Sequence, residues 1–111
     1  MAYDRALADR LRVTLANEPG LTEKAMFGGV GFMIGGHMAV AASSTGGLMV
    51  RVDPARTPEL LAEPGVSPVV MRGRSMNGWL DVVAEAVADD ASLRRWAQAG
   101  VAYIQSLPPK R

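Results

Sequence analysis

The chain contains no cysteine, which excludes disulfide frameworks, thiolate nucleophiles, zinc ribbons and iron–sulfur clusters together. A single histidine, His37, leaves too few imidazoles for a His-rich metal site and no evident partner for Ser–His hydrolysis. An excess of one charge is also missing: 12 Lys and Arg oppose 11 Asp and Glu, for a net charge of +1. A field that weak does not attract a phosphate backbone by charge alone. Aromatics make up 5% of the residues, too few to interleave stacking rings with basic side chains, so direct nucleic-acid binding is not expected. No apolar run approaches the roughly 20 residues of a spanning helix. The opening MAYDRALADR likewise lacks the basic start and apolar stretch of a signal peptide. A cytoplasmic protein without membrane attachment is the expectation. What the chain does have is 111 residues, 49% of them apolar, enough for one domain spanning 1–111 with a core over about 5–105 and no second domain.

Leu7, Leu11 and Leu15 recur at four-residue steps, the stripe of an amphipathic helix from about Asp4 to Asn17, ended by Pro19-Gly20. The period then changes. Lys24 to Ile34 reads as one strand with a bend or bulge at Gly28-Gly29. Gly35-Gly36 reads as a two-residue hairpin turn into a second strand, His37 to Ala42. After a turn at Ser43 to Gly47, Leu48 to Val52 alternates as a half-buried third strand. Thr57-Pro58-Glu59 has the order of an N-cap, a proline at the first helical position and an acid in the first turn, for a short helix to Glu63. Val69 to Arg74 and Trp79 to Val83 predict two further strands turning at Asn77-Gly78. Asp89 or Asp90 then caps a helix whose Leu93, Trp96, Ala97, Gly100, Val101, Ile104 and Leu107 share one face. The order α-β-β-β-α-β-β-α, with short turns, predicts an α+β domain: a single antiparallel sheet of about five strands with helices packed mainly on one face.

Few residues invite a chemical role. MFGGVGFMIGG fails as a nucleotide loop, because Ile34 stands where a dinucleotide fingerprint needs glycine and no Gly-Lys-Ser/Thr follows. The stretch also leads into a strand, so no helix dipole faces a phosphate. His37 reads as a solvated turn residue, and Asp89-Asp90 as helix-capping carboxylates. Arg72 and Arg74 flank Gly73 on one strand face, with Arg51 on another strand, a set suited to an anion or an acidic partner. Met33 and Met38 lie opposite each other across the Gly35-Gly36 hairpin, and Met49 is out of phase with Leu48, Val50 and Val52. These three methionines are therefore expected on the sheet face away from the helices, as an adaptable protein-contact surface.

The ordered set Met26-Phe27-Gly28-Gly29, Gly36 with Met38, Val52-Asp53, Met76 with Gly78-Trp79, and Asp89-Asp90 with Leu93 and Trp96 resembles the N-terminal domain of the TfoX/Sxy competence-regulator family. The resemblance covers roughly residues 5 to 105. It implies an α+β domain associated with bacterial competence and transcription regulation, without a known catalytic site. Full-length regulators of the family carry a second, helical domain, so this chain is expected to be a stand-alone version.

The resulting expectation is a non-catalytic module without cofactor or metal, acting as a regulatory adaptor through protein contacts. Self-association as a homodimer is expected through the methionine-bearing face, because helices on one side leave the other to solvent. Two other classes stay open: a small-ligand or anion-binding module, enzymatic or not, and a direct DNA binder.

Overall fold

The structure is a computed structural model that describes residues 3–26, 28–71 and 73–107, with the side chains of Met26 and Met71 left aside. Helix α1 (Arg5–Thr14) starts where expected, because the Asp4 carboxylate accepts from the Ala6 and Leu7 amides. Six strands follow: β1 (Leu21–Met26), β2 (Gly29–Ile34), β3 (His37–Ala42), β4 (Leu48–Arg51), β5 (Val66–Met71) and β6 (Arg74–Val82). A short helix, α2 (Thr57–Leu61), lies between β4 and β5, and α3 (Asp90–Gln105) closes the fold with the Asp89 side chain accepting from the Ser92 amide. The strands form one sheet in the order β1-β2-β3-β4-β6-β5, every neighbouring pair antiparallel. The α+β class and the single antiparallel sheet match the expectation, and the element order does so with one strand more.

Three local readings are corrected. The stretch from Lys24 to Ile34 is not one bent strand but the hairpin of β1 and β2, with Met26 paired to Gly29; this adds the sixth strand. Phe27 of that stretch lies outside the described residues. Asn77-Gly78 is not the turn between the last two strands, since Met71 is already paired to Arg74 ahead of it. Gly78 instead sits inside β6 at φ +85°, where its carbonyl accepts from the Val52 amide. The pairing of β5 with β6 slips between Pro68 and Val70, so the glycine serves an irregularity within a long strand. Nor does Thr57 cap α2. Asp53 accepts from the Ala55 amide at 2.9 Å and starts a 3-10 turn (Pro54–Arg56) that runs directly into the helix. Helical geometry thus begins four residues earlier, and the Thr57 Oγ1 is buried without a hydrogen-bond partner among the described residues.

The register explains the core. Antiparallel partners point to the same face, so Phe32, Val40, Val50 and Leu80 form one rung and Val30, Ala42, Leu48 and Val82 the next. Every one of these side chains is buried, in a single cluster with Leu7, Leu11 and Leu15 before the sheet and Leu93, Trp96, Ala97, Val101 and Ile104 of α3. Leu60 of α2 belongs to the same cluster. The helices therefore cover one side of the sheet. One extra residue, Ala39, sits in β3 where Phe32 pairs with Val40 but Met33 with Met38. Charged pairs fasten the helices around this core. Arg12 grips Glu23 of β1 through two 2.9 Å hydrogen bonds. Arg10 of α1 donates to the Ala88 carbonyl at the entry to α3, and Arg95 makes a two-pronged pair with Glu63 after α2.

Candidate functional site

The opposite side of the sheet follows from the same register. Gly31, Ala41, Met49, Asp81 and Ser67 form its central rung, crossing β2, β3, β4, β6 and β5. Met33 and Met38 pair directly, as expected, and both are half-buried. Met49 lies on this face between Ala41 and Asp81, half-buried while Leu48 and Val50 are fully buried behind it. The three methionines thus occupy the uncovered face, on three adjacent strands.

Of the three arginines, Arg51 and Arg74 are described. Arg51 pairs with Trp79 across β4 and β6, and its guanidinium carbon lies 5.7 Å from the ring centroids of both Trp79 and Tyr103. This cation is engaged by aromatic faces. Arg74 is exposed at the beginning of β6, five residues before Trp79, and Arg72 lies outside the described residues. His37 is the first residue of β3, opposite Ile34 and half-buried, and therefore belongs to the ladder more than to a solvated turn. Among the described residues, no group of three or more His, Cys, Asp or Glu is placed to hold a metal ion. No helix among them is long and apolar enough to cross a membrane.

One residue stands out that sequence reasoning passed over. Asp81 is the sole carboxylate on the central rung, and its Oδ1 is buried without a hydrogen-bond partner among the described residues. Burial pushes its carboxyl above the ordinary aspartate value. The contrast with the other perturbed acids is informative. Glu23 and Glu63 are held below the usual carboxylate range by Arg12 and Arg95, and Asp89 by the Ser92 backbone amide it caps. Asp81 alone moves the other way. It lines a cavity of about 180 Å³ together with Ala41, Met49, Val69, Val70 and the hydroxyl-bearing turn Ser43–Thr45.

Matched against family models, residues 14–104 of the chain correspond to the TfoX N-terminal domain. The match runs from the end of α1 through almost all of α3, and the chain belongs to the TfoX N-terminal domain family. No curated protein and no solved structure matches it.

Proposed function

We propose that the domain is a non-catalytic regulatory adaptor of the competence type, which acts by holding a protein partner against the sheet face that the helices leave uncovered. The observation that carries this reading is the placement of Met33, Met38 and Met49 on that face, half-buried and on adjacent strands. Thioether side chains are unbranched and polarizable, so such a surface repacks around a partner at little cost. Family membership supports a role in competence or transcription regulation. The first partner to test is a second copy of the chain, since a two-fold axis sets the same face of both copies against each other.

The test is Met49→Asp, compared with the parent by sedimentation equilibrium and by affinity capture from the native cell extract, with unfolding followed by circular dichroism. The reading expects a folded variant that loses self-association or loses a transcriptional regulator captured by the parent. A parent that remains monomeric at high concentration and captures the same proteins as the variant refutes it.

A further inference from the structure

The Asp81 cavity has a chemistry of its own. Its wall is apolar on one side, built from Ala41, Met49, Val69 and Val70, and hydroxylic on the other, where the Ser43 and Thr45 side chains are hydrogen-bonded to each other at 3.0 Å. Asp81 contributes the single charge of the lining. An ionised carboxylate only accepts hydrogen bonds, so it selects a donor. A charged donor bonds a carboxylate more strongly than a neutral one.

The lining discriminates among cations. Calcium and magnesium are held mainly by carboxylates and carbonyls, and this lining offers one carboxylate, with the Ser43 and Thr45 hydroxyls already bonded to each other. An inorganic anion is repelled by Asp81. An ammonium group carries three donors in a compact head, matching one carboxylate oxygen and nearby hydroxyls. An aliphatic stem behind it would lie against Ala41, Met49 and the valines. Val70, 57% exposed, supplies apolar surface beside the cavity that such a stem would cover.

We propose that this cavity binds an alkylammonium group, a primary amine on a short aliphatic stem, with Asp81 as its counter-ion. Burial raises the Asp81 carboxyl, and a cation bound beside it would lower it again. The chemistry is shared by a free aliphatic amine and by a lysine side chain of a docked protein. Binding of the free amine does not depend on the adaptor reading, so the two proposals fail separately.

The test is an NMR titration of the whole chain with n-butylammonium chloride, with n-butanol and with a lysine-containing tripeptide blocked at both termini. Sodium chloride keeps the ionic strength constant throughout. Butylammonium is expected to shift the amides of Ala41, Met49 and Asp81 and to saturate with a Kd on the order of 1 mM. Asp81→Asn should weaken it by about tenfold or more, the effect of losing one charge-assisted hydrogen bond. If the peptide reproduces the shifts, a lysine of a partner is the source; if only butylammonium does, a free amine is. Equal binding of n-butanol to the parent overturns the proposal without reference to any variant. So does the absence of saturable shifts, or undiminished butylammonium binding by a folded Asp81→Asn.

Discussion

Gly100 of α3 and Ala39 of β3 touch through the main chain: a Cβ placed on the glycine would meet the Ala39 carbonyl oxygen at 2.5 Å. Ala39 is the extra residue of the β3 irregularity, so the helix crosses the sheet where the strand is displaced. In Gly100→Ala, two effects compete. Replacing glycine in a helix interior gains up to about 1 kcal/mol of helix propensity. Forcing a methyl into a filled contact costs about 1–3 kcal/mol, and here the obstruction is backbone, which cannot rotate away. The steric cost is the larger, and urea unfolding should show a net loss of about 1–2 kcal/mol with an unchanged slope. A stabilised variant would show that α3 rides higher on the sheet.

Trp96 is 3% exposed in the same interface. Trp96→Ala should cost about 3–5 kcal/mol in chemical denaturation, since a large cavity would open between helix and sheet. A loss below about 1 kcal/mol would remove this side chain from the core.

Periodicity made most of this core readable, because Leu7, Leu11, Leu15 and the Leu93-to-Ile104 stripe are each fixed by spacing within one element. It also gave the faces of Met33, Met38 and Met49, since strand alternation is local. What spacing could not separate was a glycine that turns the chain from one that bends it. Gly28 lies between two strands, and Gly78 lies inside one, although Asn77-Gly78 is the stronger turn sequence. The choice between them depends on which strands pair. Asp81 was hidden for a related reason. The residues that line its cavity, Ala41, Met49, Val69 and Val70 among them, come from three other strands, so no window along the chain contains them.

Asp81 predicts an unusual response to pH. A carboxyl whose folded pKa is raised destabilises the fold above that pKa, and the penalty vanishes below its unfolded value near 3.8. Asp81→Asn should therefore melt higher than the parent at pH 7, and the difference should shrink as the pH falls toward 3.5. Thermal melts of both proteins across that range check it.

Glu23, Glu63 and Asp89 carry the opposite sign. Their folded pKa values are depressed, so their stabilisation is present above the unfolded values of about 4 and is lost as pH falls through the folded ones. In Glu23→Gln, the acid-induced loss of thermal stability should become shallower than in the parent. Parallel curves would mean that the Arg12–Glu23 pair contributes nothing, as many exposed pairs do.

Arg51 tests the aromatic contacts. Arg51→Met keeps the stem and removes the charge, and should lose about 0.5–2 kcal/mol. A double-mutant cycle with Tyr103→Leu should return a coupling of about 0.5 kcal/mol or more. Strict additivity would show that the ring and the guanidinium are neighbours without attraction.

The two flanks of the sheet are unequal. β5 forms one edge and contains Pro68, and its ladder slips immediately afterwards. A proline in an edge strand withholds an amide donor from the unpaired side, so an incoming strand finds an interrupted row there. β1, at the other edge, is an uninterrupted six-residue strand without proline. Head-to-tail growth needs two usable edges on each molecule, whereas pairing of β1 with its own copy consumes the one that is intact. Strand-to-strand association through β1 alone would therefore close at two copies instead of growing into a fibre.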